Sequence, residues 1–257
     1  MTTVATQLRK RVRPFPAISE GRYIATIAKN RHEVESALRL RHRVFTLELA
    51  GKPPDSTEIE FDKYDKKCKH LKVTDSTSGE TVGTYRLNSL EPAGSISGFY
   101  SADEFTIEDL PRAVLEQGIE IGRACIDANH RNSKVLFLLW RALLSYRAYA
   151  GKRYFFGCCS IFTTDEKIGE MAFWQLKKGG FFDETFEVLP RRDGLDLAVR
   201  EPADLYDVEL PTLFNMYFRL GARVCGPPTI DREFGTIDFF VVFDEHKMND
   251  KYRRMFG

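Results

Sequence analysis

Three clusters of residues in this 257-residue chain have the types and spacing to do chemistry. The first is Glu120-Ile121-Gly122-Arg123, inside a run that reads as a strand, Ile119–Asp127. Two charges within a β run are costly to bury unless they are paired or put to use. On a regular strand Glu120 and Arg123 face opposite sides of the sheet, and a bulge at Gly122 brings them toward one face. The pair is then either a structural salt bridge or a working acid–base group with its cation. The second cluster is Asn129-His130-Arg131-Asn132-Ser133, between that strand and an apolar helix. Backbone N–H groups at a helix N-terminus favour an anion, and Arg131 would add a charge-assisted contact to a phosphate. A plain N-cap by Asn132 or Ser133 accounts for the same polarity. The third joins Arg41-His42-Arg43-Val44-Phe45 to Glu60-Phe61-Asp62-Lys63-Tyr64-Asp65. Carboxylates beside aromatics suit a cationic amine; a solvated acidic loop is the plainer reading.

Other chemistries are closed off. The five cysteines (Cys68, Cys125, Cys158, Cys159, Cys225) contain no CxxC pair, and their odd number without a secretory signal points to free thiols in a reducing compartment. The five histidines show no zinc-site spacing, so no metal is expected. Nucleophile elbow, Walker loop and GxGxxG fingerprint are all missing. Lysine plus arginine number 38 against 37 acidic residues, and a net charge of +1 argues against a nucleic-acid partner. No run approaches the ~20 apolar residues of a membrane span. Arg9, Lys10, Arg11 and Arg13 are not followed by the apolar core of a signal peptide, so a cytoplasmic location is expected. Twenty Phe residues imply a Phe-rich core or a pocket for a long apolar group.

The elements that must position these clusters follow from periodicity. Residues 1–20 read as a disordered basic tail and residues 21–257 as one domain. Arg22–Ala28 alternates like a strand, and Asn30 looks like the N-cap of a helix running from Arg31 to about Leu49. Lys69–Asp75 and Thr81–Leu90 form a hairpin across a Ser-Thr-Ser-Gly turn. A polar segment with short helical turns near Ser101 and Pro111 leads to the Ile119–Asp127 strand. Lys134–Ala150 is apolar on most of its surface and reads as a buried helix. Tyr154–Ser160 is a strand, Asp165–Lys178 a helix closed by Gly179-Gly180, Leu213–Leu220 a helix, and Thr236–Phe243 a final buried strand. This alternation gives an α/β class: a mixed sheet flanked by helices.

Several of these segments together resemble a known family. LRHRVF, EFDKYD, GTYRL, EIGRACID, the basic loop before FLLWRAL, and the C-terminal LGARVCGPP and DREFGTIDFF runs are similar to bacterial N-acyltransferases of ornithine-lipid synthesis. These form a hemolysin-like group within the GCN5-related N-acetyltransferase (GNAT) superfamily, cousins of acyl-homoserine-lactone synthases. The resemblance covers roughly Tyr23 to Phe243. It implies a GNAT-like single domain that moves a 3-hydroxyacyl chain from acyl carrier protein to the α-amine of ornithine, giving lyso-ornithine lipid. No cofactor stays bound; the acyl-phosphopantetheine of the carrier protein is a co-substrate. The same machinery on another amine (glycine, lysine, tyrosine or a homoserine derivative) is the nearest alternative, and a lipid-binding or lytic protein a distant one.

The resemblance also assigns roles. Glu120 takes a proton from the amine, a splayed strand near Gly122 supplies the N–H that polarises the thioester carbonyl, and Arg123 orients Glu120 or the acceptor carboxylate. Similarity to the homoserine-lactone synthases places Arg43, Phe45, Asp62, Asp65 and Arg86 on the acceptor side, with Asp62 or Asp65 on an ammonium and Arg86 on a carboxylate. Those synthases carry a tryptophan soon after the position of Phe45; this chain has none between Phe45 and Asp65, which speaks against S-adenosylmethionine as acceptor. Arg131, Asn132 and Ser133 stand where the superfamily has its Gly-rich pyrophosphate loop, and the missing glycine is compatible with a carrier-protein arm bearing a single phosphate. Acyl carrier protein is acidic, so a basic docking patch is expected among Arg131, Lys134, Arg141, Arg147, Lys152 and Arg153. The basic tail suits anionic lipid, and peripheral contact with the inner face of the membrane fits an amphiphilic product.

Overall fold

One mixed sheet carries the molecule. The computed structural model describes residues 13–53, 56–90, 94–185, 187–198, 200–204 and 206–256. Among these, β1 (Ile18–Glu20), β2 (Tyr23–Ile27), β3 (Lys69–Asp75), β4 (Thr81–Asn88), β5 (Gly118–Ile126), β6 (Tyr154–Ile161), β7 (Arg223–Val224), β8 (Thr229–Asp231) and β9 (Thr236–Asp244) run in the order β1-β2-β3-β4-β5-β6-β9-β7, with β8 on β9. Strands β5 and β6 are parallel, and the other neighbours antiparallel. The helices are α1 (Arg31–Arg41), α2 (Ser101–Glu104), α3 (Arg112–Glu116), α4 (Ser133–Tyr149), α5 (Glu166–Lys178), α6 (Thr212–Leu220) and α7 (Asp250–Phe256).

Local chemistry explains the long elements. Asn30 caps α1 by accepting from the Glu33 N–H at 3.0 Å, and Glu33 reaches back to the Lys29 N–H at 2.9 Å. These two contacts satisfy orphan donors of the first turn. Helix α4 connects the parallel pair β5–β6 and buries Val135, Leu138, Leu139, Trp140 and Leu143 against one face of the sheet. On the other face α2 and α3 pack Phe105 and Leu115 against Phe156 and Phe240, while α1 sets Leu40 against Cys125. The Phe-rich composition is therefore mostly core.

The feature that builds a site is a fork between β5 and β6. They pair only at Gly118↔Tyr154, Ile119↔Phe155 and Glu120↔Phe156. Beyond Glu120 strand β5 stays with β4 and β6 stays with β9, so the two diverge. Gly157 stands at the point of divergence with φ +154°, and a Cβ there would lie 2.4 Å from the Ile121 carbonyl oxygen. Only glycine permits that approach. Gly157→Ala is therefore expected to cost about 1–3 kcal/mol by overpacking, read as a lower melting temperature. An unchanged melting temperature would mean that the fork does not depend on this contact.

Three expectations are corrected. The tail expected over residues 1–20 does not hold at its C-terminal end: Ile18–Glu20 form β1, and the Phe15 ring packs 5.4 Å from that of Tyr146; residues 1–12 lie outside the described residues. The helix expected to Leu49 is α-helical only to Arg41 and continues as a π-helical stretch, His42–Leu49, with the Ala50 N–H bonded to the Phe45 carbonyl. The bulge expected at Gly122 sits one residue later. Thr84 faces Cys125 and Arg86 faces Gly122, so the extra residue falls at Arg123–Ala124, and Arg123 itself adopts φ +49°. A non-glycine residue in the left-handed region is strained and marks a functional position more often than a random one. Strands β1, β7 and β8 and helix α7 have no signal in the sequence, being too short for a period to register.

Candidate active site

The fork opens into a cleft of about 850 Å³, its mouth included, between Ile121–Ala124 of β5 and Cys158–Ser160 of β6. Glu120 stands at its vertex, buried at 5% exposure. One carboxylate oxygen accepts from the Ser101 N–H and Oγ–H, both at 2.8 Å, and the other from the Tyr100 N–H at 3.1 Å. Burial pushes its pKa up, and these donors and the nearby Arg86 only partly offset that. A buried, oriented carboxylate with a raised pKa is what a base for an ammonium substrate requires.

Arg123 does not serve Glu120 as expected. Its Nε donates to Glu60 Oε1 at 3.2 Å and its Nη2 to Asp62 Oδ2 at 3.3 Å. The guanidinium lies between the rings of Tyr100 and Phe234, 4.9 and 4.5 Å from their centroids. The left-handed turn at Arg123 re-aims the side chain toward the acidic loop. Gly122, with open space around its absent Cβ, lines the cleft without forming the bulge.

The acceptor residues divide into two groups. Phe45 and Arg86 line the cleft, Phe45 meeting Phe234 edge-on with centroids 5.5 Å apart. Arg86 donates to Asp62 Oδ2, and at 3.4 Å to Asp65 Oδ1. Asp65 is not placed to receive an ammonium. Its side chain is fully buried, and Arg41 grips it at 2.6 and 3.1 Å. Burial alone would raise its pKa, but the Arg41 fork and the Arg86 charge outweigh that and hold it low. Arg43 turns away from the cleft, is half exposed, and pairs with Asp127 at 3.3 Å. Arg41 and Glu60, which belong to the third cluster but had no role assigned, complete a charge-matched network with Asp62, Asp65, Arg86 and Arg123, in which Arg41 also donates to Glu60 Oε2.

The donor side is plainer than expected. Asn132 caps α4, accepting from the Lys134 and Val135 N–H groups at 3.1 and 3.2 Å. Arg131 forks onto Glu48 at 2.6 and 2.7 Å, and Ser133 is exposed. None of the three lines the cleft. The expected docking patch also separates. Helix α4 has 17 residues and so spans about 25 Å. Lys134 and Arg131 stand at its N-terminal end. Arg147, Lys152 and Arg153 lie at the other, Arg153 held by Asp244 at 2.8 and 2.6 Å. Arg141 pairs with Glu20 at 3.2 Å.

Three further cleft residues carry polar chemistry that the sequence reading passed over: Tyr100, Ser101 and Asp238. The only hint of Asp238 was one carboxylate inside the apolar run TIDFFVVF. Cys158 also lines the cleft, but burial raises its thiol pKa well above the ordinary value, so it is protonated and a poor nucleophile. Among the described residues no cluster of His, Cys, Asp or Glu is arranged to hold a metal ion, and no helix is long and apolar enough to cross a membrane.

Comparison with known proteins finds acyl-transferring relatives. The acetyltransferase (GNAT) domain family matches residues 40–141, which take in the end of α1, the acidic loop, the fork strand β5 and half of α4. An L-ornithine N(alpha)-acyltransferase of Rhodobacter capsulatus is 29% identical over 91% of this chain and 94% of its own length. The Brucella abortus protein of that name is 29% identical over 90% and 87%. Among solved structures, an N-acyl amino acid synthase from uncultured soil microbes superposes with a TM-score of 0.52 at 12% identity, covering 88% of this chain and 94% of that one.

Proposed function

We propose that this acyltransferase of the GNAT fold moves a 3-hydroxyacyl chain from the phosphopantetheine arm of acyl carrier protein to the α-amine of ornithine, giving lyso-ornithine lipid. The observation that carries the reading is a strand fork with the buried Glu120 at its vertex, in a chain similar along nine-tenths of its length to L-ornithine Nα-acyltransferases. The thioester arm lies along the diverging edge of β5, where backbone N–H groups near Gly122 polarise its carbonyl. The acyl chain enters at the narrow apolar cavity beneath the fork, about 290 Å³ with its opening included, walled by Ile121, Trp140, Phe155, Tyr217, Val241 and Phe243. Arg86 and Arg123, the guanidinium groups that line the cleft, receive the acceptor's carboxylate. Glu120 takes one proton from the ammonium, the freed amine nitrogen attacks the carbonyl carbon, and the C–S bond breaks as the amide forms. The second nitrogen proton passes to the departing thiolate, and Glu120 returns its own to solvent. Carrier protein docks at the N-terminal end of α4, on Arg131 and Lys134, and the amphiphilic product leaves by peripheral contact with the membrane.

Purified protein given 3-hydroxyacyl carrier protein and ornithine tests the reading. The expected result is release of the free carrier thiol with a matching amount of N-acylornithine. Thiol release without any amide would sink it.

A further inference from the structure

One corner of the cleft is not used by the reaction as described above. Asp238 sits in the middle of β9, in register with Ser160 of β6 on one side and Thr229 of β8 on the other. It is 2% exposed, lines the cleft, and its Oδ1 completes no hydrogen bond. An unpaired buried carboxylate oxygen is costly unless something outside the chain satisfies it. Along β9, period 2 places Asp238 on the same face as Phe240 and Val242, which pack with α2 and α3. That is the side from which Tyr100 and Ser101 reach Glu120, so Asp238 belongs with the amine and not with the acyl cavity.

Its neighbours make the corner acidic. Asp231 accepts from the Tyr100 hydroxyl at 2.8 Å. Burial, then Asp231 and Asp238, push Glu104 up to about 7. Burial likewise lifts Asp238 to about 6 against the opposing pull of the Ser160 and Thr236 hydroxyls. The nearby cations are directed elsewhere: Arg123 donates to Glu60 and Asp62, and Arg192 acts on Glu104 and Asp103 from the exposed loop. The unsatisfied Asp238 oxygen, with the charges of Asp231 and Glu104 close enough to act on one another, has no cation bonded to it, and the described residues offer no metal arrangement there.

We propose that Asp238, backed by Asp231 and Glu104, is the subsite for a second ammonium on the acceptor, the one at the end of its side chain. The enzyme thereby selects a diamino acid: an acceptor with a neutral side chain leaves the Asp238 oxygen buried and unpaired. This inference rests on the proposed acyl transfer to an amino acid.

The test compares wild type and Asp238→Asn with ornithine and with 2-aminopentanoate, the same carbon chain without the terminal amine. Acyl carrier protein is held constant and kcat/KM is read for each. The wild type is expected to favour ornithine, and Asp238→Asn to cut that preference by roughly 10- to 100-fold, the value of a hydrogen bond to a charged group. Glu104→Gln, outside the strand, is expected to move the ratio in the same direction by less, and it serves if Asp238→Asn does not fold. A wild type that acylates both substrates, with variants that leave their ratio unchanged or lower both rates equally, overturns the subsite alone. A wild type that acylates neither overturns the acyl-transfer reading beneath it.

Discussion

Glu120→Gln is expected to lower kcat by roughly 100- to 10,000-fold, the range over which positioned acid–base groups act. The carboxylate is fixed by three donors at 2.8–3.1 Å, and burial raises its pKa. Glutamine keeps the volume and loses the base. It also turns an N–H₂ toward Tyr100 or Ser101, so thermal unfolding measured alongside separates lost chemistry from lost fold. The pH profile gives an independent reading. A base works only when ionised, so kcat/KM falls as pH drops through the pKa of Glu120. Because that pKa is raised, the acid limb lies at higher pH than for an ordinary glutamate. A Gln variant with wild-type turnover, or an acid limb at ordinary carboxyl pH, contradicts the assignment.

The second large effect is on stability. Asp65→Ala is expected to cost about 3–5 kcal/mol, because it takes the bidentate carboxylate from the buried Arg41 guanidinium, leaving it Glu60 alone, and removes a partner of Arg86 as well. Arg41 and Asp65 are 1% and 0% exposed in their side chains, so solvent cannot make up the loss. The pKa of Asp65 is held below its unfolded value, so its stabilisation is present above about pH 4 and disappears as pH falls through the folded pKa. The wild type therefore loses stability in acid by a term that the variant lacks. Chemical unfolding at neutral and acid pH measures both. If Asp65→Asn instead kept wild-type stability and raised KM for the amino acid, Asp65 would be an acceptor ligand and not a tether.

Much of this was legible in the sequence, and the failures have physical causes. The long strands, α1 and α4 to α6 announce themselves by period, by caps such as Asn30 and Asn132, and by the Gly179-Gly180 stop. Glu120 stood out because a charge in a β run must be explained. Arg43 was placed on the acceptor side by similarity alone; residues two apart on a helix point roughly 200° from each other, and here Arg41 turns inward to Asp65 while Arg43 turns outward to Asp127. Asp65 read as a free carboxylate because its partner, Arg41, is 24 residues away in the chain. The bulge was placed at Gly122 since glycine is the usual signal, whereas here Arg123 takes the strained turn, held by Glu60, Asp62 and two rings. Asp238 was read as part of a buried strand, and only the fold reveals that its face looks into the cleft.

The central claim is the identity of the product. Its most direct test is mass spectrometry of total lipids from a bacterial host that lacks ornithine lipids, with and without this chain expressed. The account predicts a new species at the mass of ornithine joined by an amide to one 3-hydroxyacyl chain, lost on Glu120→Gln. Folded protein that leaves the lipid profile unchanged, or that produces an N-acyl derivative of a different amine, contradicts it.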